Sequence, residues 1–253
     1  MAAFWSSMLV LDGGPLLVAM AAILLAGLIQ ASTGIGFGLV AAPVLLLLDP
    51  RLVPGSVIFL GTLVTFLAAV REMKWINLKA LVAGLSGRIP GAIAAGAIVA
   101  AVSASVFQAL FGVLVLAAVM LSIAAKPVHP TTPNVVVAGF LSGVMGTLTS
   151  IGAPPIALVF QRAKGPEMRA TVSAFLLIGA IVSMMSLASF GAFGWVDIAI
   201  ALKLVPAAVI GFALSRYVIR FGDTRWLRPA VLSLCAVMSL WLLARGVMGL
   251  WSS

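Results

Sequence analysis

Residues 103–123 run for 21 positions without one formal charge, and stretches of the same kind follow one another along most of the chain. A helix of about 20 apolar residues crosses the hydrocarbon core of a bilayer, about 30 Å thick, at 1.5 Å per residue. Backbone amides and carbonyls have no water there, so each such segment must satisfy its hydrogen bonds internally, as a helix. Only 8% of the residues are charged and 63% are hydrophobic, against about 25% charged in soluble domains. The expectation is an all-α polytopic membrane protein with room for about eight to ten crossings and no extramembrane domain.

Hydropathy, charge and turn residues divide the chain into ten helical elements, approximately 14–33, 36–48, 54–71, 76–100, 103–123, 134–151, 153–162, 169–190, 196–216 and 227–248. Two of them, 36–48 and 153–162, are too short to cross. Each follows a break, at Thr33-Gly34-Ile35-Gly36 and at Thr149-Ser150-Ile151-Gly152. Non-helical backbone at membrane depth is tolerated only where it is packed in protein or lines a wet cavity. The breaks lie 116 residues apart, and at that spacing Gly27, Thr33, Ile35 and Gly36 fall on Gly143, Thr149, Ile151 and Gly152. Downstream, Trp75-Ile76-Asn77 matches Trp195-Val196-Asp197, and Arg88-x-Pro90-x5-Gly96 matches Lys203-x2-Pro206-x4-Gly211 more loosely. The chain therefore reads as two transmembrane repeats, 1–125 and 126–253. Each has a broken helix or re-entrant pair followed by three long helices.

Charge sets the orientation. The connectors 71–79, 124–133, 162–169 and 216–228 hold 11 of the 15 basic residues, whereas 49–53, 101–102 and 191–195 hold only Arg51. By the positive-inside rule the four basic connectors face the cytoplasm. An odd number of elements per half then reverses the second copy, giving an inverted-topology pair with both termini external. The first apolar stretch has no basic flank of the kind a cleaved signal peptide carries, and is expected to stay as a span.

Arg88 stands about twelve residues inside an apolar span, surrounded by Gly, Ile, Pro and Ala, with no acid on its own helix. A guanidinium at that depth is expensive unless it is paired or hydrated. The six acidic residues all sit in connectors or near helix ends, so an anionic ligand is the natural counter-charge. The two breaks add to this, because each opens a short helix whose first amides and positive dipole end favour an anion. Ser32, Thr33, Gly34, Ile35 and Gly36 on one side, and Thr149, Ser150, Ile151 and Gly152 on the other, are candidate ligands. Lys203 is a further candidate, with snorkelling to the interface as its alternative. Pro43, Pro90, Pro154, Pro155 and Pro206 interrupt or open apolar helices and are candidate gating positions. Asp197, at a span start, is expected to cap rather than to carry protons.

Other functions are disfavoured. The net charge of +9 lies in short connectors and not on a face for nucleic acid. One Cys and one His leave no framework for disulfides, clusters or zinc, and no cofactor or metal is expected. No phosphate-binding loop, Ser-His-Asp set or HExxH motif is present, so neither ATP hydrolysis nor enzymatic activity is expected. Trp5, Trp75, Trp195, Trp226 and Trp251 stand near span ends, as an interfacial belt requires.

The run Gly27-Leu28-Ile29-Gln30-Ala31-Ser32-Thr33-Gly34-Ile35-Gly36-Phe37-Gly38 with Pro43, and the run from Gly139 through Gly152 to Pro154-Pro155, resemble the TauE/SafE sulfite exporter family of membrane permeases. The resemblance extends from about Gly27 to Leu243. It implies a bacterial inner-membrane carrier exporting sulfite or an organosulfonate such as sulfoacetate, coupled to a proton or sodium gradient. It carries site roles to Ser32 through Gly36 and Thr149 through Gly152, while Arg88 is singled out on physical grounds. The expected partners are the anion and the lipid bilayer, with a homodimer left open. An anion-selective channel and a non-transporting lipid-binding protein are the alternatives.

Overall fold

The computed structural model describes residues 11–33, 36–124, 128–161, 163, 165–221 and 227–251. Among them are ten α-helices and no strands: α1 Gly13–Thr33, α2 Phe37–Leu48, α3 Gly55–Glu72, α4 Leu78–Ala101, α5 Ala104–Ala124, α6 Thr132–Thr149, α7 Ala153–Phe160, α8 Gly165–Ser189, α9 Trp195–Phe221 and α10 Leu227–Trp251. Seven are long and apolar enough to cross a bilayer. The exceptions are α2, α7 and α3, whose described apolar run is Gly55–Leu67. The chain is a multi-pass membrane protein. Its outer faces carry exposed Leu17, Val82, Ile123, Val137, Met185, Leu202 and Val237, the apolar surface that lipid solvates.

Helix starts follow from local chemistry. Asn77 opens α4, its Oδ1 accepting the Ala80 amide at 3.1 Å. Asp197, in the first turn of α9, reaches back to accept the Gly194 amide at 2.9 Å, which is the capping role expected of it. Each start is also tied across the fold. The Asn77 amide donates to Thr171 Oγ1 of α8 at 3.0 Å, and Ser56 of α3 donates to the Asp197 carbonyl at 3.1 Å.

The helix pairings form matched sets. α4 packs along α6 as α9 packs along α1; α8 lies on α4 as α3 lies on α9; α10 touches α2 as α5 touches α7; and α3 meets α8 while α5 meets α10. Glycine makes the tightest of these approaches. A Cβ on Gly139 would run into the Gly84 backbone, and one on Gly87 or Gly91 into the backbone of Val136 or Phe140. On the other side Gly27 faces the Ala208 carbonyl and Gly211 the Leu24 backbone. In lipid such small-residue seams let dispersion hold helices together where no hydrophobic drive exists.

The short helices are arms of hairpins. Thr131 before α6, Phe160 at the end of α7, and Asn77 and Lys79 at the start of α4 line one cleft. The α6–α7 pair therefore brings its two ends to one cleft. Asp12 before α1 meets Lys203 of α9 at 3.5 Å, and the 3-10 turn Pro50–Leu52 after α2 also packs on α9. The α1–α2 pair thus has both ends beside the start of α9. In that turn Arg51 is held by Asp49 at 2.7 Å, which neutralises the basic residue on the connector expected to be external.

Candidate functional site

The tips of the two hairpins meet. Gly36 precedes α2 at φ 125°, a conformation open to glycine. Ser150 ends α6 in the left-handed region at φ 63°, its amide bonded to the Gly146 carbonyl at 3.0 Å. Gly38 lies so close to Ser150 that a Cβ there would overlap the Ser150 carbonyl. Ser150 Oγ in turn donates to the Pro54 carbonyl before α3, at 3.2 Å.

Between the tips is a cavity of about 60 Å³, lined by Gln30, Gly36, Gly38, Arg88, Ser150, Ile151, Gly152 and Ser183 among others. A single water needs about 10–15 Å³ on such a measure, so the space suits a small ion and not a bulky solute. Arg88, on α4, is 3% exposed. Its Nη1 donates to the Ser142 carbonyl at 2.8 Å and to Ser142 Oγ at 2.6 Å. Ser142 Oγ donates onward to the Gly152 carbonyl, so the second break holds the guanidinium in place. The Phe175 ring stands over it, 5.3 Å from Cζ to the ring centroid.

Arg88 Nε is buried without a hydrogen-bond partner. Among the described residues the ion pairs are Arg51–Asp49 and Lys203–Asp12, and no carboxylate pairs with Arg88. Insertion of Arg at mid-membrane costs about 2.5–3.5 kcal/mol, while a hydrogen bond to a charged group contributes about 1.5–3 kcal/mol. The two bonds to Ser142 offset the insertion cost. They leave a positive charge and an orphaned donor unanswered.

The expected donors divide on inspection. Gly36, Arg88, Ser150, Ile151 and Gly152 all line the cavity. Ser32 does not, and its hydroxyl is spent on the Leu28 carbonyl at 2.7 Å. Thr149 likewise donates to Met145 O at 2.7 Å and accepts the Ile151 amide at 3.2 Å; it closes the helix end and offers no donor to the cavity. Gly34, Ile35 and the Thr33 side chain lie outside the described residues. The two short helices also differ. The first turn of α7 holds Pro154 and Pro155, which have no N–H, whereas α2 presents Gly38 and Leu39 to the cavity, at first-turn positions where no intrahelical acceptor exists. The first amide of α2, Phe37, is taken by Gln30 Oε1 at 3.1 Å.

Lys203 is a correction. Its Nζ points to the Leu11 carbonyl at 3.4 Å and to Asp12, away from the cavity, as a flexible ammonium near a helix end does. Lys203 therefore does not stand beside Arg88 at the cavity. Gly143 faces the Arg88 carbonyl as its counterpart Gly27 faces that of Ala208, so packing pairs Arg88 with Ala208. Among the described residues that line the cavity, Arg88 alone is charged. Of the prolines, Pro43, Pro154 and Pro155 are buried in the short helices, while Pro90 and Pro206 interrupt α4 and α9 on exposed faces. Gln30, Ser142 and Ser183 were not singled out beforehand. An amide and two hydroxyls buried in apolar segments are the signal that could have found them.

The family described as Sulfite exporter TauE/SafE matches residues 19–242, nearly the whole chain. The chain belongs to the TauE/SafE sulfite exporter family. The protein is therefore a membrane transporter of small anions and not an enzyme. Comparison with curated proteins and with solved structures gives no match. For a TauE/SafE exporter, a buried, unpaired cation in a cavity of ionic size at the meeting of two breaks is the feature of interest.

Proposed function

We propose that this TauE/SafE protein is a secondary carrier that exports sulfite, or an organosulfonate such as sulfoacetate, across the bacterial inner membrane by alternating access. Arg88 supplies the counter-charge, and backbone amides at the start of α2 complete the cradle. The observation that carries this reading is Arg88 itself: buried, pinned by Ser142, without a carboxylate partner among the described residues, and facing a cavity of about 60 Å³. That size favours the inorganic anion over the longer sulfonate.

The matched helix pairings support a two-repeat architecture with halves near 1–125 and 126–253 in opposite orientation. So does the placing of one hairpin's ends at the start of α4 and the other's at the start of α9. In this reading the halves rock against each other and expose the cavity alternately to each side. The basic connectors lie in the cytoplasm and both termini outside. Coupling to a proton or sodium gradient drives export.

Proteoliposomes loaded with labelled sulfite test the mechanism. Unlabelled sulfite added outside accelerates labelled efflux through a carrier. Efflux indifferent to external sulfite would favour a channel, and no sulfite flux at all would overturn the reading. Imposed pH and sodium gradients then identify the coupling ion. Two substitutions refine the site. Ser142→Ala removes one bond to the guanidinium and leaves the carbonyl, and should raise KM for sulfite about tenfold, equivalent to about 1.4 kcal/mol. Lys203→Ala should change KM less than about twofold, since Lys203 reaches Leu11 and Asp12 and does not line the cavity.

A further inference from the structure

We propose that Gly179, on α8, is a positioning residue for Arg88: the absent side chain is the notch that seats the guanidinium and so sets the affinity of the site for its anion. The proposal rests on the anion-carrier reading and adds a residue to it. Several buried glycines of the fold, Gly87, Gly91, Gly139 and Gly143 among them, face the backbone of a neighbouring helix and there serve helix packing. Gly179 is different. The three atoms nearest a Cβ at this position are Nε, Cδ and Cζ of Arg88, all far inside van der Waals contact with the added carbon. A methyl group there would occupy the place of the side chain.

The rest of the seat is consistent. A Cβ on Gly146 would lie 2.9 Å from Nη2, and one on Gly152 would lie 2.7 Å from Nη1. Glycines of α6, of its break and of α8 therefore surround the guanidinium. Phe175, four residues before Gly179 and on the same face of α8, supplies the ring above it. The orphaned Nε lies at the notch. With the notch filled, the side chain must take another rotamer. It then leaves Ser142 and the space between Gly36–Gly38 and Ser150–Gly152. Substrate binding should suffer more than the rocking step.

Sulfite efflux from proteoliposomes, together with thermal unfolding in detergent, tests this on wild type, Gly179→Ala, Arg88→Ala and the double variant. Gly179→Ala should raise KM at least tenfold with Vmax within about threefold. It should lower the unfolding temperature when Arg88 is present and not when residue 88 is alanine, because the three atoms nearest the added carbon all belong to Arg88. If Gly179→Ala cannot be recovered folded, the double variant should still be recovered at the level of Arg88→Ala. A wild-type KM for Gly179→Ala, or an equal loss of stability in both backgrounds, would overturn the notch while leaving the carrier reading in place. Wild-type transport by Arg88→Ala would overturn both.

Discussion

Arg88→Ala should abolish sulfite transport, by at least 100-fold in Vmax/KM, while the protein still inserts and folds. The change deletes the charge that the cavity presents and returns no counter-charge, so the anion would enter a site of low dielectric against backbone amides alone. A 100-fold loss corresponds to about 2.8 kcal/mol, within the span of charge-assisted interactions in a dry site. Insertion should not suffer, because removing a mid-membrane arginine relieves a cost of about 2.5–3.5 kcal/mol. The Ser142 hydroxyl keeps its Gly152 partner when the guanidinium is gone. Arg88→Lys should retain part of the activity. It keeps a point charge but loses the planar fork that holds Ser142 with one nitrogen and leaves others toward the cavity. Efflux assays on protein of matched yield separate these outcomes.

Gly38→Val should have an effect of similar size for a different reason. Gly38 stands where the start of α2 meets the Ser150 carbonyl, and a branched side chain there cannot fit without driving the hairpin tips apart. Overpacking of this kind costs typically about 1–3 kcal/mol of stability, which a helical bundle can absorb. The cradle cannot absorb it, since its two walls are those tips. Transport should fall at least 100-fold with only a modest drop in unfolding temperature, and Gly38→Ala should be intermediate. Wild-type flux through Gly38→Val would mean that the contact between tips is not part of the pathway.

Much of the fold could be read from residue order because a bilayer allows few solutions. Runs of about twenty apolar residues must be helices, and the breaks before Gly36 and Gly152 could be located from glycine and hydroxyl residues alone. The repeat alignment through Gly27 and Gly143 placed both breaks. Its extension to Arg88 and Lys203 rests on similarity of charge and a nearby proline. The structure pairs the positions through the carbonyls that Gly143 and Gly27 approach. The depth of Arg88 was legible as a cation twelve residues into a span, whereas its anchoring was not. Ser142 lies ten residues before Gly152 in sequence, and only the turn of the hairpin brings its hydroxyl between the guanidinium and that carbonyl. Ser32 and Thr149 misled for a related reason. A hydroxyl inside a membrane helix can satisfy itself on the carbonyl four residues earlier, as both do. Gly179 has no sequence signature at all, because what marks it is a side chain arriving from another helix.

Density for the anion is the most direct test of the central claim. A structure determined by cryo-electron microscopy or crystallography in saturating sulfite should place the ion between the start of α2 and the Ser150–Gly152 break, with an oxygen within about 3 Å of the Arg88 guanidinium. Sulfite bound only at the basic connectors, with Arg88 still held by Ser142 alone, would contradict it.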